Sequence, residues 1–228
     1  MKRRRRWQAE LPTRTPFDCG YRALSCLEFW DIKTGAAEDL TVTSSVKTTK
    51  RYSYEDYLTW PDDTRWELID GAAYAMVPAP TTRHQSVQLN LAGLLLSYFR
   101  GKPCKPFIAP VDVKLSDSDV LQPDLLVVCD PQKIAEKAIV GAPDLVIEIL
   151  SPSTETRDRR DKKAVYEIYR VAEYWLVSPN GFVEQYVLGA NAKYGAPVIT
   201  SMGESLTSAR FPDLVLAVSE IFEGVQRE

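Results

Sequence analysis

A chain of 228 residues, 45% hydrophobic and 26% charged, carries the apolar content of one soluble globular domain of ordinary size, with or without a tail. No run approaches 18 apolar residues, which excludes a membrane-spanning helix, and the basic start "MKRRRRWQAELPTRTP" lacks the apolar segment of a secretory signal. The net charge of −3 is split: residues 1–50 hold 10 Lys and Arg against 6 Asp and Glu, the remainder 18 against 25, so the acidic body does not coat nucleic acid by charge alone.

In chain order, residues 1–48 show no sustained period, and "TVTSSVKTTK" reads as a polar linker, so an N-terminal extension, partly disordered, precedes a domain over 49–228. "KRRRR" is either a solvated basic tail or a DNA-binding arm. Ser53 followed by acids predicts a short helix that Pro61 ends. "RWELIDGAAYAMVP" predicts a hairpin around Asp70 and Gly71. "TTRHQSVQLNLAGLLLSYFR" predicts an amphipathic helix with Val87, Leu91, Leu94, Leu95 and Tyr98 inward. "CKPFIAPVDVKLS" and "VLQPDLLVVCD" predict strands, Ile134 to Ile139 a loop or turn, and "PDLVIEILS" the next strand. "TRDRRDKKAVYEIYRVA" predicts a helix with Val165, Ile168, Tyr169 and Ala172 inward; "EYWLVSP" and "FVEQYVLG" are strands, and the short helix "VSEIFEGV" closes the chain. The fold class is therefore α/β, a mixed sheet flanked by helices. Cys19, Cys26, Cys104 and Cys129 have no metal-type spacing, and reduced, inert thiols in a cytoplasmic protein are expected.

The chemistry concentrates in two strands. Glu148 sits inside "DLVIEIL", and an ionised carboxylate there costs several kcal/mol unless compensated. Asp144 shares its face but lies roughly 13 Å along the strand. Asp124 opens the other apolar strand; if the two strands pair, Asp124 and Glu148 converge, and two carboxylates that close require either a proton or a cation. A hard ion such as Mg²⁺ suits oxygen ligands. The competing reading is structural: Asp124 and Asp144 cap strand entries and Glu148 pairs with a lysine. Helical spacing puts Lys162 on the sheet-facing side, able to neutralise Glu148 or to hold phosphate or water, and points Lys163 away. His84, the single histidine, falls on the inward face of its helix near the N-terminus, either packed and capping or touching phosphate or water. Glu67 in "RWELIDG" is either a third ligand or an ion-pair partner, and Asp112 is structural. Arg157, Arg160 and Lys163, with Arg159, form a basic cluster that is either a solvated helix end or a phosphate-backbone contact. No Gly-rich phosphate loop or nucleophile elbow is present, so no organic cofactor is expected.

Pro123-Asp124, then Glu148-Ile149-Leu150, then Lys162 resembles the PD-(D/E)XK nuclease superfamily. Together with "WELIDGAAYAM", "PAPTTRHQSV", "PVDVKL" and "VAEYWLVSP", the order resembles its Uma-type restriction endonuclease family, a domain of unknown function, over about residues 52–180. The resemblance implies an α-β-β-β-α-β core and cleavage of DNA phosphodiesters with Mg²⁺, for which Mn²⁺ can substitute, by a homodimer. It implies Asp124 and Glu148 as the two metal-binding acids, Glu67 as an early acidic position and His84 as a family position. The motif's lysine is due two residues after the second acid; Leu150 stands there, and Lys162 takes the role from the helix. The alternative is a catalytically silent nucleic-acid-binding or assembly module that keeps the fold; a third reading is a structural ion pair in an unrelated protein.

Overall fold

The computed structural model describes residues 50–61, 64–76 and 79–225. The basic arm, the polar linker, Cys19 and Cys26 lie outside the described residues. Helix α1 (Tyr54–Tyr57) starts where the sequence places it: the Ser53 hydroxyl accepts the Asp56 N–H, and the Asp56 carboxylate accepts the Ser53 N–H. Strands β1 (Trp66–Ile69) and β2 (Ala72–Ala75) form the expected hairpin. Its two turn residues both have positive φ, 49° at Asp70 and 71° at Gly71, as a two-residue turn of right-twisted strands requires. A side chain at position 71 would also come within 3.0 Å of Arg51 Cβ.

Helix α2 (Thr82–Phe99) follows, capped by the Thr81 hydroxyl on the His84 N–H. Then come β3 (Lys105–Ile108), β4 (Asp112–Lys114), β5 (Val120–Leu121), β6 (Leu125–Val128), β7 (Ala138–Val140) and β8 (Leu145–Ile149). A helical crossover of α3 (Glu155–Arg157), a π turn (Asp158–Lys162) and α4 (Lys163–Ile168) leads to β9 (Glu173–Ser178). The chain then runs through β10 (Phe182–Val187), β11 (Val198–Ser201), β12 (Ser205–Thr207), β13 (Val215–Ala217) and α5 (Val218–Ile221).

The expected mixed α/β architecture holds, spread over three sheets. Six strands run in the order β11-β10-β9-β8-β6-β3, five in the order β2-β1-β5-β4-β7, and β12 pairs with β13. The six-stranded sheet separates two apolar clusters by strict alternation. Leu125, Val127, Leu145, Ile147 and Ile149 pack with Val87, Leu91 and Leu95 of α2. Leu126, Val128, Val146 and Leu150 pack with Val165 and Tyr166 of α4. Each fully buried aliphatic side chain contributes roughly 1.5–3 kcal/mol relative to exposure, so α2 and the crossover are fixed on opposite faces. The chain passes between the two large sheets at Gln122-Pro123-Asp124, from β5 to β6.

Three expectations are corrected. Ile134 to Ile139 is more than a loop, because residues 138–140 add a parallel strand beside β4. Ile168 is not on the inward stripe: it is 68% exposed, and Tyr166 is buried instead, so the inward face of α4 runs through Val165 and Tyr166 to the partly buried Tyr169. Cys104 and Cys129 are bridged, not free thiols. The antiparallel register pairs Lys105 with Val128, so the cysteines one residue further out face one another across β3 and β6.

Glu173, fully buried at the start of β9, shows how the last strands are tied on. Its carboxylate accepts from Trp175 Nε1 (2.7 Å), Ser208 Oγ (2.6 Å), the Arg210 and Ala209 N–H groups, and the Gln185 amide. Replacing it by leucine strands several buried donors. Urea unfolding of Glu173→Leu should show a loss of more than about 3 kcal/mol; a loss below about 1 kcal/mol would contradict this anchoring.

Candidate functional site

Antiparallel pairing of β6 with β8 sets Leu125 opposite Ile147, and the register carries one step further to Asp124 opposite Glu148. Directly opposed residues share a face, so both carboxylates stand on the crossover side of the six-stranded sheet. Asp124 Oδ2 accepts the Ile149 N–H at 2.8 Å, which fixes the acid against the end of β8. The same oxygen meets His84 Nε2 at 3.1 Å, while Gln88 of α2 donates to the Asp124 carbonyl at 2.9 Å. Helix α2 thus reaches round the sheet end to hold one member of the pair.

Glu148 is held from the other side. Its Oε1 accepts from Lys162 Nζ at 3.0 Å and from the Tyr166 hydroxyl at 3.1 Å. Lys162 Nζ also lies 2.8 Å from Glu67 Oε1 and 3.4 Å from Asp158 Oδ1. Glu67 comes from the other large sheet and accepts the Gln122 N–H at 3.0 Å. The two-sheet junction at Gln122-Pro123-Asp124 therefore carries one site acid and orients another. Asp158, Lys162 and Tyr166 follow one another at intervals of four. In an unbroken α-helix eight residues overshoot two turns by about 80°; the wider π turn takes up part of that overshoot, and all three face Glu148.

The electrostatics follow from burial. Glu67, Glu148, Asp158 and Lys162 are each at most 3% exposed, and one ammonium faces three carboxylates. Desolvation is the largest influence on Glu148 and pushes its carboxyl well above the usual range; Lys162 opposes the rise, and Asp158, Asp124 and Glu67 reinforce it. Desolvation likewise raises Asp158. Burial alone would lower Lys162, but Glu148, Glu67 and Asp158 outweigh it and hold the amine charged. Burial also pulls His84 down, and the Asp124 carboxylate more than reverses this. The cluster therefore keeps its lysine ionised and retains protons on Glu148 and Asp158 longer than free carboxyls do.

A divalent ion fits the donor set as a partner to two carboxylates rather than as the centre of a protein cage. Among the described residues no three Asp, Glu, His or Cys side chains converge in a ligating arrangement, because Lys162 takes the point between them. The second oxygens of Asp124 and Glu148 accept from no described residue, and Asp158 Oδ1 is buried without a hydrogen bond. Hard oxygen donors of this number, completed by water and phosphate, suit Mg²⁺ or Mn²⁺.

Of the residues singled out in the sequence, Asp124, Glu148, Lys162, Glu67 and His84 come together. The basic trio does not act as one patch. Arg157 turns inward, 4.0 Å from Glu67 and over the Tyr74 ring. Arg160 is exposed and paired with Asp161, and Lys163 lies over the Tyr186 ring. Asp144 is spent on the Cys129 N–H and on Arg210, and Asp112 on Tyr57 and Gln122, both structural. The site is also more closed than the sequence suggests: of its acids only the side chain of Asp124, 19% exposed, reaches the surface appreciably. Sequence reasoning missed Asp158, Tyr166 and Gln122. The first two were signalled by their spacing of four on either side of Lys162; the Gln122 contact runs through a backbone N–H and leaves no side-chain signature.

A mixed sheet with acids on neighbouring strands and a lysine on the following helix defines the restriction-endonuclease-like class of fold. Residues 54–219 match the Uma2 family, described as "Putative restriction endonuclease", and the chain belongs to that family. An uncharacterized protein of Synechocystis sp. is 27% identical over 180 residues, spanning 77% of this chain and 93% of its own length. A crystal structure of a putative nuclease belonging to DUF820 from Anabaena variabilis superposes with a TM-score of 0.64 at 19% identity, covering 76% of this chain and 99% of that one. It shares the fold.

The raised carboxyls give a signed prediction. Above the ordinary carboxyl range, the folded protein binds more protons than the unfolded chain, so stability falls as pH rises towards the elevated folded values of Glu148 and Asp158. His84, also raised, adds a slope of the same sign above its ordinary value of 6.5. Urea unfolding in EDTA from pH 5 to 8 should show declining stability, and Glu148→Gln should flatten part of that decline. A stability that climbs steadily with pH over this range would refute the charge assignment.

Proposed function

We propose that this chain is a divalent-metal-dependent endonuclease that hydrolyses DNA phosphodiester bonds. The observation that carries the reading is the register of β6 and β8, which opposes Asp124 to Glu148 on one face with Lys162 on the second acid. Asp124 and Glu148 are the residues that would hold the ion. When bound there, Mg²⁺ lowers the pKa of a coordinated water and polarises the scissile phosphate. His84 and the Ile149 N–H orient Asp124, and Tyr166 and Lys162 orient Glu148. Lys162, released from part of its carboxylate contacts, aligns the attacking water or steadies charge on the phosphorane. Arg157 is positioned through Glu67 and Tyr74 rather than as a free phosphate clamp. Residues 49–228 form the nuclease-like domain in this reading, and cutting both strands of a duplex uses the two sites of a homodimer.

One observation favours the second reading, a binding or assembly module without catalysis. The Lys162 amine faces three carboxylates, and the residue two positions after Glu148 is Leu150, buried in the core. Plasmid and branched DNA with a Mg²⁺ and Mn²⁺ series separate the two. The nuclease reading expects metal-dependent nicking, reduced to background by Asp124→Asn and Glu148→Gln and about 10²–10³-fold by Lys162→Met, with circular dichroism unchanged for the folded variants. Cleavage that persists in Glu148→Gln, or duplex binding with no cleavage under any metal, would reject it.

A further inference from the structure

A cleft of about 430 Å³ lies at the turn between β9 and β10. Its volume falls within the ~300–1,000 Å³ typical of small-molecule sites. Its walls include Arg83, Asn180, Ser201, Phe182, Met202 and Phe222, and among the described residues no carboxylate lines it. Its Pro179 wall follows directly on β9, a strand parallel to β8, whose Ile149 pairs with Val177 and holds Asp124 through its N–H. Ligands of α/β sheets gather outside the carboxyl ends of such strands.

Arg83 makes this cleft more than a gap. Its Nη2 donates to the Pro179 carbonyl, which pins the guanidinium at the rim. Its Nε is buried with no hydrogen-bond partner, and Arg83 has no carboxylate within ion-pairing distance among the described residues. A guanidinium at the wall of a cleft, with no carboxylate partner among the described residues, has donors left for an anion. It sits in the first turn of the 18-residue helix α2, a turn without acidic residues, where the helix field also favours an anion. Phe182 and Phe222 also line the cleft, and the Asn180 amide and the Ser201 hydroxyl add donors and acceptors. An anion, a flat apolar body and a hydrogen-bonding edge are the three parts of a nucleotide. Arg83 is followed directly by His84, whose ring touches Asp124, so consecutive residues of one helical turn join the cleft to the acidic pair.

We propose that this cleft is a nucleotide subsite: Arg83 takes a backbone phosphate, and the base of that nucleotide, unpaired from its partner strand, packs against Phe182 and Phe222. It holds the nucleotide next to the scissile phosphate, and so rests on the nuclease reading for the identity of its natural ligand. It needs no metal, and it gives the enzyme a preference for strands with an unstacked base, as at nicks, branches or single-stranded segments. Stacking on aromatic rings tolerates any base, so the subsite selects structure before sequence.

The test is isothermal titration in EDTA of the full chain with a 5′-deoxynucleoside monophosphate, with inorganic phosphate, and with the unphosphorylated deoxynucleoside. The monophosphate should bind at least about tenfold tighter than either fragment, and Arg83→Ala should weaken it about tenfold or more. Phe182→Ala should weaken the monophosphate while leaving phosphate binding alone. Glu148→Gln should leave monophosphate binding unchanged. If Arg83→Ala does not fold, Arg83→Lys, which keeps the charge and loses the planar fork, should show an intermediate loss. Absence of monophosphate binding, equal binding of inorganic phosphate, or equal loss in Glu148→Gln would each overturn the subsite. Cleavage lost in every metal with Arg83-dependent nucleotide binding intact would sink the nuclease reading and leave the cleft standing; cleavage present without that binding would do the reverse.

Discussion

The ammonium of Lys162 is the point on which the interior of this protein balances. Three carboxylates from three separate segments, Glu67 on β1, Glu148 on β8 and Asp158 on the π turn, converge on one nitrogen that is almost wholly out of water. Without it, two large sheets and the crossover would meet at a knot of like charges, and removing one partner of such a buried set typically costs about 3–5 kcal/mol. The remaining excess of negative charge has few outlets: protons on the acids, or a cation beside Asp124 and Glu148. In the proposed reading, that imbalance is what a metal ion would relieve.

The rest of the site is built to hold that imbalance in a fixed geometry. Each acid has a partner from a different layer. Helix α2 reaches Asp124 through His84 and Gln88, the crossover reaches Glu148 through Tyr166, and the strand-to-strand passage at Gln122 reaches Glu67 through a backbone N–H. Orientation by several independent elements is what a reacting group requires, because errors of an ångström in position are costly to catalysis. The closed character of the cluster means that the surface is reached mainly at Asp124 and His84.

Much of this was legible in the sequence because it rests on short-range rules. Alternation in "DLVIEIL" located a buried acid, the apolar period of α2 placed His84, and the Asp70-Gly71 pair gave the hairpin. What escaped has a common cause: it depends on register or on departures from regular geometry. Pairing of Cys104 with Cys129 follows from how β3 docks on β6, which no spacing along the chain encodes. Strand β7 is three residues long and gains its identity from β4 and Ile134 beside it. Tyr166 rather than Ile168 is buried because the apolar period of α4 fits two neighbouring faces, and only its docking on the sheet selects one. The basic trio was grouped by nearness in sequence, whereas Arg157, Arg160 and Lys163 leave the crossover in different directions.

The π turn at Asp158–Lys162 also governs which changes of chain length this region can survive. One residue removed between Ser153 and Lys162 would turn everything beyond it by roughly 100° about the axis, carrying the amine away from its three acids and presenting an alkyl or acidic neighbour in its place. Exposed positions such as Thr156, Arg160 and Ala164 can exchange side chains freely under that constraint, since nothing in the cluster touches them. Relatives of this chain should therefore vary in letters across the crossover but not in count.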